Sequence, residues 1–589
     1  MARCGLFTLL LLLATLFPAD TVPAAHAGSP VAASLEAMLE PGSQTQSLCA
    51  GCSLFTIPAE LAAFYETRSF VPLWVDGLGF SRLGSDLATV LKNADLHGLN
   101  PEEYYASCIA SWADHFQVQR GQDEDLSPDD LAGVELLLGE AFLRFADHLA
   151  HGRVHPSTFD LIWVMNKERT DIPAKLAELA QHKDMDRTVR ELAPPWPEYW
   201  DLVLAARELA AEQDTGWEAL PKPEEKKIEP GDEDAVFIPL LRRHLSRNGY
   251  LFDEEAQNAT RYDDNLVEGI KKFQRRHGMK DDGIIGPMTL TALNTSPEEI
   301  RRKVIINLER WRWLPRTFGD RAVLVNIPAY MLKAIEKGET VLEMKIICGQ
   351  PDKQTPVFSK RIRYMEFNPF WNVPEKIALE ELLPKIEKNP EYLAKNNYEL
   401  VSTGENAGDV IDPETIDWEN TNGTLPGRIR QNPGAGNALG RIKFMFPNSF
   451  DVYMHDTSSR YLFDRAYRAL SHGCIRVQNP LGLAMFLLQD QPEWTEEKIQ
   501  ARIDGSGRGT IDINPQPLVQ IMYITAVIGH DGRVVPLNDV YNQDDKLWKA
   551  LTSIDAKYAL RPGAALAVKK GKCDKSSATK NVPDQRPGG

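Results

Sequence analysis

The sequence predicts a multidomain α+β protein: a helical N-terminal scaffold domain, a small three-helix domain, and a mostly-β domain carrying a helical insertion. Three observations carry that reading. At 589 residues the chain is longer than one hydrophobic core organises. Apolar residues recur at helical spacing through its first half. From Arg321 onward the texture changes to short β-branched and aromatic runs broken by Gly, Pro and Asn, which are strand signals.

Composition bounds the class. With 43% apolar and 25% charged residues the chain reads as globular rather than disordered. A formal charge of −17 argues against a nucleic-acid partner, which needs a basic face to neutralise phosphates. Residues 1–27 read as a cleavable signal: Arg3, an apolar run from Leu6 to Phe17, then Ala25-His26-Ala27. The run is shorter than the roughly 20 residues a membrane span needs. An uncleaved anchor is the alternative, and either places the protein in the periplasm or cell envelope. Seven cysteines are sparse, so the fold is not expected to depend on a disulfide framework. Cys49 and Cys52 form a CAGC pair in a flexible lead-in, 28–59, read as a local disulfide or two spare thiols. No second pair completes a zinc site. Cys108, Cys348, Cys474 and Cys573 stand alone.

The helical scaffold domain spans 60–212, with Gly98 closing one helix and Asn100-Pro101-Glu102 opening the next. A long amphipathic helix runs from Leu131 towards Pro156. Its His148, His151 and His155 lack carboxylates in a ligand pattern and read as packing or surface residues, not a metal site. Residues 213–234, with "PKPEEKKIEPGDED", form a charged, proline-containing linker. Residues 235–295 are compact and helical, with Gly278 ending a helix and Gly283 and Gly286 as turn glycines. The ordered set Phe273, Gln274, Gly278, Asp282, Gly283, Gly286, Thr289 and Leu293-Asn294 resembles the peptidoglycan-binding type 1 domain, a three-helix wall-binding module. Ser296 and Pro297 then cap a helix over 296–315 expected to complete the scaffold domain. The mostly-β domain covers 320–545, with a helical insertion at about 376–429 and Asp531-Gly532 as a hairpin turn. The basic, small-residue tail, 556–589, is expected to be disordered.

The chemistry-bearing stretch is Ser471-His472-Gly473-Cys474-Ile475-Arg476. A cysteine attacks as the thiolate and needs a base, or a cation that lowers its pKa. It also needs N–H donors for the oxyanion. His472 shares a face with Cys474 in an extended segment, but His455 is the better base. It ends the run "FDVYMH", and the connection after it returns the chain beside that end. Gly473 permits a sharp turn, and the N–H groups of His472, Gly473 and Cys474 are natural oxyanion donors. Arg476 supplies a cation able to hold a carboxylate or orient a loop. A disulfide between Cys474 and Cys348 is the competing structural reading.

His455, fifteen residues, then the 471–476 stretch resembles the signature of the L,D-transpeptidase (YkuD-type) catalytic domain. "NPFWNVP" (368–374) and "IRQNPGAGNALGRIKF" (429–444) are similar to other stretches of that family. The whole arrangement resembles its long periplasmic subfamily, typified by YcbB. The resemblance implies Cys474 as nucleophile and His455 as proton-transferring base, partnered by a backbone carbonyl. It further implies His472 and Gly473 at the oxyanion site, Trp371, Tyr453, Ser471 and Arg476 as substrate-binding residues, and the insertion as a lid. Many members carry Asn where this chain has Arg476, so that role is less fixed. The implied reaction joins peptidoglycan stem peptides, donor and acceptor, by a 3–3 cross-link with release of D-alanine, and needs no metal or organic cofactor. Water or a lipoprotein lysine as acceptor and a non-catalytic wall-binding scaffold are the alternatives. Other cell-wall synthesis proteins are conceivable partners.

Overall fold

The computed structural model describes residues 28–40, 57–122, 125–158, 163–164, 169–211, 217–223, 226–251, 260–403 and 407–558. The signal segment, the Cys49/Cys52 pair and the tail from 559 lie outside them. None of the described helices is long and apolar enough to cross a membrane.

The scaffold domain is built on the Pro128–His151 helix, whose start is set by Ser127 accepting from the Asp130 N–H at 3.3 Å. Its Glu135 carboxylate is fully buried and accepts hydrogen bonds from the Tyr65 hydroxyl (2.7 Å) and the N–H groups of Leu73, Trp74 and Val75 (2.5, 2.8 and 2.9 Å). Those four donors satisfy a group that would otherwise be costly to bury. The lead-in corrects the sequence reading: residues Pro30–Leu39 form a helix, capped by Ser29, that buries Ala32 and Leu35 against the long helix. Cys108 is not isolated either. It is disulfide-bonded, to a partner outside the described residues.

The small domain keeps its own core, and its resembling residues are explained by contacts. Gln274 accepts from the Gly283 N–H (2.9 Å) and donates to the Ile284 carbonyl (2.9 Å), tying the helix to the turn. Gly283 has φ +76° and needs glycine, whereas Gly286 is extended and serves as the N-cap of Pro287–Leu293. The supposed linker is partly structural. Leu220 and Ile228 are buried in this core, and Asn294 holds the Leu220 backbone through bonds of 2.8 and 2.9 Å.

Helix Pro297–Arg312, capped by Ser296 as expected, completes more than the scaffold. It packs against Pro197–Ala211 on one side and against Asp544–Tyr558 and the Ala526–Ile528/Val534–Pro536 hairpin on another. Buried Arg310 reaches Asp544 (2.5 Å), and buried Arg312 pairs with Glu309 (2.9 Å). Scaffold and β domains therefore share one continuous core. The Asp544–Tyr558 helix also carries three residues of the expected disordered tail.

The β domain is organised by a twelve-stranded sheet. At its centre, Met454–His455 pairs in parallel with Ile475–Val477, which pairs antiparallel with Glu339–Gly349. The insertion is mixed rather than helical. Strands Tyr398–Val401, Val410–Ile411 and Arg428–Gln431 join Trp371–Asn372 in a four-stranded sheet. Short helices cover it, and Leu382, Ile386, Leu400 and Ile429 form a separate core.

Three histidines away from the thiol are half-buried and held as neutral rings. Burial holds His97 and His148 at about 3 and His277 at about 4, against an ordinary 6.5. The unfolded chain takes up these protons near pH 6.5, the folded chain only near pH 3–4. Their stabilisation is therefore full above pH 6.5 and is lost as pH falls through that window, at about 1.4 kcal/mol per ring per pH unit. Thermal melts are expected to show Tm falling steeply from pH 6 to 4, and His148→Gln is expected to flatten that slope.

Candidate active site

Register places the two candidate reacting residues. Met454 lies opposite Ile475 and His455 opposite Arg476 across the parallel pair, so Cys474 sits at the end of the strand beside Tyr453. The connection after His455 returns the chain to its neighbour, as the sequence suggested. Cys474 is half-buried and carries a free thiol, and Cys348 is free and buried, so no disulfide joins them.

His455 is buried, 4% exposed, and its ring is fixed by the chain immediately after it. Nδ1 lies 2.5 Å from the Asp456 carbonyl oxygen. A carbonyl only accepts, so Nδ1 carries the proton and Nε2 keeps the lone pair a base requires. Burial, with Arg476 and Lys443 adding positive potential, lowers the ring to about 3. The His455 ring is therefore neutral at rest. Asp456 is held in turn by the Arg441 N–H (2.9 Å) and Arg460 (2.9 Å). Gly440 has φ +62°, and a Cβ there would lie 2.3 Å from Asp456 Oδ2, which explains this glycine of "NPGAGNALG".

The Cys474 Sγ lies 3.9 Å from the Asp451 carbonyl. Burial raises its pKa, while the N–H and hydroxyl of Tyr453, then Lys443 and Arg476, act in the opposite direction. Thiol and imidazole are thus both uncharged at rest, on neighbouring strands and not hydrogen-bonded to each other. The donors and cations needed for a thiolate already surround the sulfur. Tyr453 is itself positioned: Lys443 Nζ lies 4.1 Å from its ring centroid and its ring is 5.7 Å from that of His455.

The turn before Cys474 is laced together. Ser471 Oγ donates to the Cys474 carbonyl (2.5 Å) and accepts from the Gly473 N–H (3.2 Å). Thr355 Oγ1 donates to the Gly473 carbonyl at 2.7 Å. Gly473 has φ +110°, a conformation that favours glycine. Two expectations change here. The Gly473 N–H is engaged by Ser471, which takes it out of the expected set of oxyanion donors. Ser471, 1% exposed, shapes the turn rather than facing a ligand.

Arg476 leans into the same region, and its Nε is buried with no hydrogen-bond partner among the described residues. Among the described residues its guanidinium forms no ion pair with a carboxylate. Trp371 packs with the insertion, its ring 6.3 Å from that of Tyr398. The three scaffold histidines bond separately, to Tyr104, Asp147 and Ser157. Among the described residues, no group of three metal-capable side chains occurs.

Residues 320–494 match the model of the L,D-transpeptidase catalytic domain. The chain carries an L,D-transpeptidase catalytic domain. Residues 237–293 match a "Putative peptidoglycan binding domain" and residues 59–205 a "Scaffold domain", in the positions where the fold separates them. A Haemophilus influenzae protein named "Putative L,D-transpeptidase" is 37% identical over 254 residues, 43% of this chain. The match spans 50% of that relative's length. Two solved L,D-transpeptidase structures are also similar. One, from Xylanimonas cellulosilytica, is 14% identical and covers 51% of this chain and 98% of its own, with TM-score 0.15. The other, from Stackebrandtia nassauensis, is 12% identical and covers 50% and 95%, with TM-score 0.19. Those scores are too low to carry weight, and the domain assignment rests on the family models. The L,D-transpeptidase domain as matched ends at 494, yet strand Leu518–Met522 lies within its sheet, between Arg321–Asn326 and Val357–Arg361.

The carbonyl expected beside His455 is that of Asp456, but sequence reasoning missed the Asp456 side chain, Lys443, Thr355 and Glu381. Lys443 alone carried a local signal, since alternation along "RIKF" puts it on the face of His455's neighbouring strand.

Proposed function

We propose that this protein is a cysteine-dependent L,D-transpeptidase that forms 3–3 cross-links in peptidoglycan. The observation that carries the reading is the free Cys474 thiol on a strand end paired with the strand of His455, whose tautomer leaves Nε2 as a base. Nε2 takes the thiol proton as Sγ attacks the carbonyl of the residue at stem position three. The amide bond to terminal D-alanine breaks, its nitrogen takes that proton, and a thioester remains. The side-chain amine of a second stem then attacks the thioester and the C–S bond breaks; the amine's proton passes through His455 Nε2 to the leaving sulfur, regenerating the thiol. Backbone N–H groups of His472 and Cys474 stabilise the oxyanion in each half.

Arg476, with no carboxylate partner among the described residues, holds a carboxylate of the donor stem, and Tyr453 lines the donor side of the thiol. The insertion acts as a lid, with Trp371 on its sheet. The wall-binding module keeps the catalytic domain on its polymeric substrate, and the disulfide at Cys108 fits an oxidising compartment outside the cytoplasmic membrane. The same features agree with the long periplasmic subfamily. Purified protein incubated with tetrapeptide muropeptides is expected to give cross-linked dimers and free D-alanine. Tripeptides alone would replace this reading with a carboxypeptidase, and no turnover would favour a scaffold.

A further inference from the structure

The insertion has a core of its own, so its seating on the catalytic frame depends on contacts at its rim. One of these reaches the nucleophile turn. Glu381 stands in a π-helical turn, Ala378–Leu382, a rare conformation that concentrates at functional sites. Its Oε1 lies 2.5 Å from His472 Nε2 and 3.4 Å from Lys353 Nζ, and that Nζ lies 2.6 Å from the same His472 nitrogen. Three chain segments therefore converge on one carboxylate.

Two of those segments build the turn before Cys474. Lys353 belongs to the loop that follows strand Glu339–Gly349. In that loop the Gln350 N–H donates to the Ser471 carbonyl at 3.0 Å, and Thr355 Oγ1 holds the Gly473 carbonyl. The loop is anchored from behind by Tyr541, whose hydroxyl donates to the Gly349 carbonyl (2.7 Å) and accepts from the Thr355 N–H (3.1 Å). His472 is the residue whose peptide leads into Gly473. Moving Glu381 away would leave the Lys353–His472 contact but remove the carboxylate that ties both of them to the insertion.

We propose that Glu381 is a positioning residue for acylation: through His472 and Lys353 it couples the insertion to the Ser471–Cys474 turn, which is held ready for attack while the insertion is seated. This deepens the transpeptidase reading and rests on it. Glu381 touches no reacting atom. Its side chain is 41% exposed, and those of His472 and Lys353 are 29% and 21% exposed. Ion pairs this open to water add little to global stability. Their loss is expected to alter the population of the ready turn rather than the fold, a rate effect of about three- to tenfold.

The test uses the full chain and its Glu381→Gln, Glu381→Asp and Lys353→Met variants, with the double variant Glu381→Gln/Lys353→Met. Acylation of Cys474 is timed by intact mass with a carbapenem as probe, and amide hydrogen exchange is followed in parallel. Glu381→Gln is expected to slow acylation about three- to tenfold at unchanged Tm, with Glu381→Asp recovering part of the loss. The double variant is expected to be no slower than the slower single one. Exchange is expected to quicken both in residues 376–388 and in 471–474. Acylation slowed less than threefold, or exchange that quickens in the insertion alone, would overturn the coupling. A wild-type protein that forms no adduct would instead overturn the transpeptidase reading, and the exchange result would still decide whether insertion and turn are coupled.

Discussion

Cys474→Ala is expected to abolish D-alanine release and cross-linking, a loss of at least about 10⁴-fold, while the protein stays folded and retains wall binding. Among the described residues the one other free thiol is Cys348. Cys348 is buried, and burial pushes its thiol up to about 12, so it offers almost no thiolate at working pH. Cys474→Ser is expected to fare little better. A hydroxyl in the same place is a far weaker nucleophile, and the surroundings that support a thiolate, Tyr453, Lys443 and Arg476, do not make it an alkoxide. D-alanine release from a tetrapeptide donor measures this directly. Residual release above about one part in a thousand in the alanine variant would mean that another group attacks.

His455→Ala is expected to cost about 10²- to 10⁴-fold in acylation rate, the usual range for a positioned general base. The pH profile separates this role from mere packing. The wild-type base is neutral unless pH falls to about 3, because burial disfavours the imidazolium. Activity requires that neutral ring. It is therefore expected to persist from pH 7 down to about 4.5 without the decline near 6.5 that an exposed imidazole gives, for as long as the fold survives. The alanine variant must rely on spontaneous thiolate. Burial raises the Cys474 pKa above its ordinary value, so its small residual rate is expected to climb with pH into the alkaline range. Initial rates with circular dichroism at each pH keep loss of fold apart from loss of the base. A wild-type decline centred near pH 6.5 in folded protein would contradict the assignment.

What the sequence made legible was local. The interval from His455 to Cys474, the glycine before the thiol, the Ser296-Pro297 cap and the Gln274–Gly283 pattern each express a constraint acting within a few residues or between adjacent strands. The misreadings share a different cause. The insertion was expected to be helical because Lys376 to Tyr398 carries that texture, but its strands find their partners up to some tens of residues away. Residues 30–39 read as lead-in because one short helix says little without the long helix that covers it. Cys108 looked solitary because pairing is a property of the fold, not of spacing. The support of the catalytic turn by Thr355 and Tyr541, and the reach of Glu381 to His472, join positions separated by 118, 186 and 91 residues. Topology alone brings such residues together.

Intact-protein and peptide mass spectrometry of the enzyme mixed briefly with a tetrapeptide donor tests the central claim most directly. The account predicts a covalent species heavier by the donor minus D-alanine, mapped to Cys474, cleared on adding an acceptor stem, and absent from Cys474→Ala. Cross-linking without such a species, or an adduct on any other residue, would contradict it.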